Sequence, residues 1–417
     1  MKSKLMWAVA ATAIVAALPA EAQQFTTYDL PNSTLHLYQT GDVMGDASII
    51  VEGKKSIVII EQPLFNANIE EFGEYVKGLN KPVDCVFASY HQGGLTPYAK
   101  EKIVMPKSMI EFSKSPMSQG MIAKFKSNFG DSADLEPFGK VVGVSLPSKQ
   151  KWAGVEFVLT PGVASDFPAA SALIDGAAYY MHFAPSISHA SPMVVRSVAA
   201  IDYLLDELRA VEASGAKYIF GSHGAPATRE ELTFQIAYLE KLKAVRATSS
   251  NPDTFAQRML IAYPSLGGYE NLRPLAAKLY PDFVADPVKE EVRARMQDYL
   301  NMVSGLDMEI AKGLWAENDE AISIITPRSH FIGFDSIMND FLVKAFSSFK
   351  SRKLSSVSEV INVYGDSAQV QLYWMFDTVN AAGEAKRGRG RETLAFEKIC
   401  GEWRLVHVHY SPLPAAH

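Results

Sequence analysis

The residues of this chain best equipped for chemistry are histidines. Nine are present, at positions 36, 91, 182, 189, 223, 330, 407, 409 and 417. Three of them close apolar runs: His91 after Val83-Asp84-Cys85-Val86-Phe87-Ala88, His182 at the end of Ala178-Tyr179-Tyr180-Met181, and His223 after Lys217-Tyr218-Ile219-Phe220. A catalytic zinc ion takes three protein ligands and keeps one position open, so three imidazoles meeting at one sheet edge would complete such a site. Standing apart, each is a polar loop residue bonded to backbone. Carboxylates also ligate zinc, which adds Asp166 and Asp175 to the candidates, with His189 as a further imidazole. A second constellation lies near the C-terminus. Strand alternation in Trp403 to Ser411 places Trp403, Leu405, His407 and His409 on one face.

These residues need elements to place them. Ala47-Ser48-Ile49-Ile50-Val51, a turn at Glu52-Gly53-Lys54-Lys55 and Ser56-Ile57-Val58-Ile59-Ile60 read as a hairpin. Asn66 to Leu79 carries Ile69, Phe72, Val76 and Leu79 on one helical stripe, and the strand Val83 to Ala88 delivers the loop Ser89-Tyr90-His91-Gln92-Gly93-Gly94. The same grammar returns in the helix Ser197 to Ala213, the strand Lys217 to Phe220, the loop Gly221-Ser222-His223-Gly224, and a capping box Thr228-Arg229-Glu230-Glu231 opening another helix. Open α/β sheets place ligand sites at strand ends of this kind. Beyond Pro-punctuated helical sequence and a seam near Asp286, strands dominate: Ala321 to Thr326, Ser358 to Val363, Ala368 to Asp377, Arg391 to Glu397 and Trp403 to Ser411.

With 417 residues, 48% hydrophobic and 21% charged, the chain is long enough for two or three folded domains. A net charge of −6, with Lys386-Arg387-Gly388-Arg389-Gly390-Arg391 as the one basic run that stands out, argues against nucleic acid as a partner. Lys2 and Lys4, the apolar run Leu5 to Leu18 and Ala20-Glu21-Ala22 read as a signal peptide, residues 1–22, cut after Ala22. The expectation is a periplasmic or secreted protein with no stable membrane insertion after cleavage. Cys85 and Cys400, far apart in sequence, are expected as buried thiols.

The hairpin, His91 with Gly93-Gly94, the run Leu159-Thr160-Pro161-Gly162 and the Gly221-Ser222-His223-Gly224 loop resemble the metallo-β-lactamase superfamily over roughly residues 30–245. The resemblance implies an αββα sandwich carrying one or two zinc or iron ions. The family's HxHxDH run is reduced here to Tyr90-His91-Gln92, and Pro161-Gly162 is followed by Val163 rather than histidine. A dinuclear centre cannot be assembled, which leaves either a mononuclear centre on His91, His182 and His223 or a vestigial site. The ending Gly401-Glu402-Trp403-Arg404-Leu405-Val406-His407-Val408-His409-Tyr410-Ser411 resembles the SnoaL-like, nuclear transport factor 2-like fold over roughly residues 300–414. That resemblance implies a cone-shaped curved antiparallel sheet with helices, homo-oligomer formation, and a pocket for a small molecule. By carry-over the pocket residues are Arg391, His407 and His409, with Tyr373 or Trp374 as a wall; the guanidinium fork suits an organic acid.

The fold class expected is α/β plus α+β, divided into residues 23–248, a helical connector 249–295 and a SnoaL-like domain 296–417. Two functions follow. One is a metal-dependent hydrolase of a small ester, lactone or amide using one zinc or iron ion. The other is a non-catalytic binder of an organic acid with a vestigial metal site.

Overall fold

The computed structural model describes residues 24–136, 138–162 and 167–413. The signal peptide and Asp166 lie outside the described residues. The chain divides into two compact units, Met1–Ser186 with Tyr203–Ile236, and Ile187–Asp202 with Ala237–His417.

In the first unit, β1 (Gln24–Asp29), β2 (Thr34–Gln39), β3 (Ala47–Glu52), β4 (Ile57–Ile60), β5 (Val83–Phe87), β6 (Ile103–Pro106) and β7 (Val141–Val144) form a seven-stranded sheet in that order. It is antiparallel through β4 and parallel from β4 to β7. All four residues of β4 are fully buried, as a parallel strand covered on both faces requires. A five-stranded sheet runs β12-β11-β10-β9-β8, from β8 (Ser148–Trp152), β9 (Val155–Pro161), β10 (Ala170–Ile174), β11 (Ala178–Phe183) and β12 (Tyr218–His223). One apolar core joins Ile49, Ile59 and Val86 of the first sheet to Phe157, Ala172 and Tyr180 of the second, so the sheets pack face to face. Helices α1 (Asn66–Gly78), α2 (Lys107–Ser113), α3 (Pro116–Phe129), α4 (Val198–Ser214) and α5 (Arg229–Thr248) connect the strands. At the start of α5, Thr228 N–H donates to Glu231 at 2.8 Å, as the capping-box spacing led one to expect.

The second unit begins with helices that belong to it rather than link to it. In α6 (Pro252–Ala262), the Asn251 side chain caps Thr254 N–H; α7 (Leu272–Leu279) follows, and α8 (Pro287–Gly305) starts from an Asp286 cap with proline in its first turn. Glu359, 1% exposed, is ion-paired with Arg293 of α8 and, at 2.9 Å, with Arg273 of α7, while Arg293 also reaches Asp253 of α6 at 2.8 Å. The expected connector is thus tied into the second unit through a buried carboxylate. After α9 (Met308–Leu314) comes a six-stranded sheet, β14-β13-β18-β17-β16-β15, from β13 (Ser323–Ile325), β14 (His330–Ile332), β15 (Ser351–Tyr364), β16 (Ser367–Val379), β17 (Ala385–Ile399) and β18 (Glu402–Pro412). Val292, Met296, Tyr299 and Val303 of α8 join Val370, Leu372, Leu394 and Phe396 in the unit's core. Cys400 and Gly401 both take positive φ in the β17–β18 turn, the conformation a tight hairpin needs. Cys400 is exposed there, contrary to expectation; Cys85 is buried, and its thiol is pushed up to about 12 by burial. Among the described residues, no helix is long and apolar enough to cross a membrane.

Candidate functional site

The loop carrying His91 is held by a carboxylate. Glu61, fully buried at the end of β4, accepts hydrogen bonds from the backbone N–H groups of Ser89, Tyr90 and His91 at 2.9, 2.7 and 2.9 Å, and from the Tyr180 hydroxyl at 2.7 Å. Three successive N–H groups turned onto one carboxylate fix the backbone at the position from which His91 projects. Gly94 completes the turn at φ +72°, where a Cβ would stand 1.9 Å from the Pro63 carbonyl oxygen. Neither Glu61 nor the strain at Gly94 was singled out in the sequence. An acid directly after the all-apolar run Ile57-Val58-Ile59-Ile60 was the available signal.

The second sheet supplies the other two imidazoles from the ends of its adjacent parallel strands β11 and β12. Nitrogens of His91, His182 and His223 all lie within 4.8 Å of one another, and Nε2 of His91 is 3.1 Å from Nε2 of His223. Tetrahedral ligands about 2.0–2.1 Å from zinc stand roughly 3.3–3.4 Å apart, so the pair is already close to ligand spacing. His223 Nδ1 lies 3.0 Å from Asp46 Oδ1 and 3.2 Å from the Met44 carbonyl. A carboxylate can only accept, so His223 carries its proton on Nδ1 and turns the Nε2 lone pair inward, as a metal ligand requires. Burial opposes ionisation of Asp46, but the imidazoles of His91 and His223 outweigh it and hold its carboxyl below the usual range. His182 is held well below the usual imidazole range by burial and by His223 and His91, and is therefore neutral. Its ring lies flat on Tyr90, centroids 4.4 Å apart and planes within 4°. The Tyr90 hydroxyl meets Ser171 Oγ at 3.0 Å and fills the place where a Cβ on Gly162 would be, 2.2 Å away.

The remaining candidates of this unit lie elsewhere or serve other ends. Asp175 sits in the β10–β11 turn at φ +52° and accepts from Asn32 and Ser33, a structural tie. His189 belongs to the second unit, fully buried and paired with the Tyr238 hydroxyl at 3.1 Å. An open hollow of about 530 Å³ is lined by Lys107, Val144, Leu146, Gly162, Phe167 and Pro168, among others. It shares Gly162 with the surroundings of Tyr90, and Phe167, whose ring stands edge-on to His182 at 5.4 Å.

The second constellation does not assemble as expected. Opposite the β17 pair Ala395-Phe396, β18 places Leu405 and His407, leaving Val406 as an extra, unpaired residue. That bulge inverts the alternation. Trp403, Leu405 and Val408 are buried in the core, whereas His409 and Arg391 are exposed, and His407, half-buried, contacts Ser323 Oγ through Nδ1 at 2.8 Å. Trp374 lies with the core residues, so it does not share a face with Arg391, His407 and His409. Arg391 stands over the Tyr373 ring at 5.6 Å on the outer side. The inner face carries a group missed from sequence: Glu392, 6% exposed, accepts from the Tyr299 hydroxyl at 2.6 Å. Burial pushes its carboxyl up to about 8. The signal was legible, since Glu392 has the parity of Leu394 and Phe396.

Residues 292–416 match the family model for the SnoaL-like domain. Among solved structures, a nuclear transport factor 2-like superfamily protein from Salmonella enterica serovar Typhimurium is 31% identical, covering 31% of this chain and 94% of its own, with a TM-score of 0.29. The association domain of C. elegans CaMKII is 20% identical, covering 30% and 95%, at 0.26. A protein with a cystatin-like fold from Caulobacter vibrioides is 19% identical, covering 30% and 89%, at 0.26. No curated protein matches the chain. The six-stranded sheet with its helices is a SnoaL-like, nuclear transport factor 2-like domain, and this family accounts for residues 292–416.

Proposed function

We propose that the N-terminal unit is a metal-dependent hydrolase of a small ester, lactone or amide, built on one zinc or iron ion held by His91, His182 and His223. The observation that carries this reading is the convergence of three imidazoles within 4.8 Å. It accords with the resemblance of residues 30–245 to the metallo-β-lactamase superfamily, in a form reduced to a single centre. A divalent ion held there supplies Lewis acidity and lowers the pKa of water toward about 7. His182 is kept neutral and ready to coordinate by its burial, and its ring is oriented by Tyr90. Asp46 fixes the tautomer of His223, and Glu61 fixes the backbone of His91. The hollow beside Phe167 offers an apolar wall to the body of a substrate, and Lys107 stands on its lining.

The test is metal content. The chain from Gln23 onward, prepared without a polyhistidine tag or chelator, should hold about one equivalent of zinc or iron by elemental mass spectrometry, and His223→Ala should lose it. Metal absent after incubation with zinc, or unchanged in His223→Ala, overturns the reading and leaves a vestigial site. Export to the periplasm and self-association through the C-terminal domain belong to the same proposal. Cell fractionation and native mass spectrometry read them.

A further inference from the structure

Three of the nine histidines lie together on the outer face of the C-terminal sheet, and the register puts them there. Ile324 of β13 and Val408 of β18 are paired and both fully buried, so their chain neighbours Ser323, Ile325, His407 and His409 all point the other way. Ile325 has His409 as its partner on one side and His330 of β14 on the other, which makes His330, Ile325 and His409 one rung. His407 stands two residues before His409, beside Ser323. Between Cα atoms, strand geometry places His330 about 10 Å from His409, across Ile325, and His407 about 7 Å from His409.

His407 is both neutral and oriented. Burial first, then His409 and His330, hold its imidazole below the usual range. Its Nδ1 meets Ser323 Oγ at 2.8 Å. With that hydroxyl accepting, the ring proton sits on Nδ1 and Nε2 keeps the lone pair a ligand needs, the control of tautomer that metal-bound imidazoles receive from a second group. His330 and His409 are exposed, so turning their rings toward His407 disturbs no buried contact. The rung continues from His409 into Thr393 and Gln371, so no carboxylate shares it. Arg391, two residues before Thr393, stands over Tyr373 of β16, which carries its charge away from β18.

We propose that His330, His407 and His409 form a metal site of their own, a shallow one that takes zinc, copper(II) or nickel(II). Imidazoles without a carboxylate suit these ions, whereas magnesium and calcium require oxygen ligands. Two ligands come from alternate residues of one strand and the third from across Ile325, and water fills the remaining positions. The imidazoles of the first unit already converge, whereas these are gathered by the ion, so the outer site is the weaker of the two. It does not depend on the metal reading of the first unit.

The test uses the tag-free chain from Gln23 carrying His223→Ala, which removes a ligand from the first-unit site, titrated with zinc and copper(II) by isothermal titration calorimetry at pH 7. One equivalent should bind, copper more tightly than zinc, and magnesium should give no heat. His409→Ala and His330→Ala should each weaken binding about tenfold or more, and Ser323→Ala about tenfold through the lost orientation of His407. Arg391→Ala should not weaken it. The electron paramagnetic resonance spectrum of the copper form should show coupling to three imidazole nitrogens, falling to two in His330→Ala. No binding of zinc or copper, affinity unchanged in His409→Ala or in His330→Ala, or displacement of zinc by magnesium overturns the proposal. The nitrogen count before any change at the outer face decides the matter even if a variant there misfolds.

Discussion

A carboxylic acid kept neutral by burial must leave a mark on stability, and Glu392 allows the mark to be calculated. Its only hydrogen-bond donor among the described residues is the Tyr299 hydroxyl, and burial raises its pKa from 4.5 to about 8. Below pH 4.5 the group is protonated whether the chain is folded or not, and it has no effect on stability. As pH rises past 4.5 the unfolded chain ionises while the folded one does not, so the folded state loses ground with each further unit. The loss levels off near pH 8, where the folded group ionises too, after roughly 5 kcal/mol. That is comparable with the whole stability of many domains. Glu392→Gln keeps the shape and the acceptor for Tyr299 but cannot ionise, so it should gain several kcal/mol on the parent chain between pH 5 and pH 8. Urea unfolding at both values, followed by tryptophan fluorescence from Trp315, Trp374 and Trp403, measures the difference. Other titrating groups are common to both chains and cancel in it. Parallel pH curves for parent and variant would refute the reasoning.

Three further outcomes follow from the geometry. Gly94→Ala should cost about 3 kcal/mol or more in a thermal melt and reduce bound metal, because φ +72° and a Pro63 carbonyl 1.9 Å from the new methyl displace the loop that carries His91. Glu61→Gln should destabilise the chain by about 3 kcal/mol in urea titration, since an amide cannot accept on both sides from three backbone N–H groups and a tyrosine hydroxyl. Arg293→Met should cost about 3–5 kcal/mol by the same measurement, leaving Glu359 buried with the Ser356 hydroxyl and the half-exposed Arg273 as partners, whereas Arg273→Met should cost much less.

The parts of this molecule that could be read from its sequence are those where one local rule decides. The hairpin of β3 and β4, the stripe on α1 and the capped start of α5 each follow from periodicity or a cap within a few residues. The three histidines could be placed at strand ends, but their meeting depends on β11 and β12 lying side by side in the second sheet, a pairing that no local pattern states. The partners of Asp46 and Glu61 were hidden for the same reason: each acts on a residue brought to it by the fold, His223 across 177 positions of chain and His91 across 30.

The C-terminal domain shows how one residue can overturn a correct local rule. Strand alternation rightly makes Trp403 and Leu405 inward, and applied further it makes His407 and His409 inward as well. Val406 breaks the register, because Leu405 pairs with Phe396 while His407 pairs with Ala395. From that point Val408 and Tyr410 face the core and both histidines face away, with Arg391 beside them. A bulge has no sequence signature of its own; it is betrayed here by the buried valine at 408, which a strict alternation would have left in water. Had burial of Val408 been weighed against burial of two histidines, the apolar residue wins on transfer free energy, and the inner face would have been assigned to Glu392, Tyr410 and Trp374. A protein that commits a carboxyl to such a face must keep it neutral, and burial does so for Glu392, on the side of the sheet opposite the cationic one that unbroken alternation turned inward.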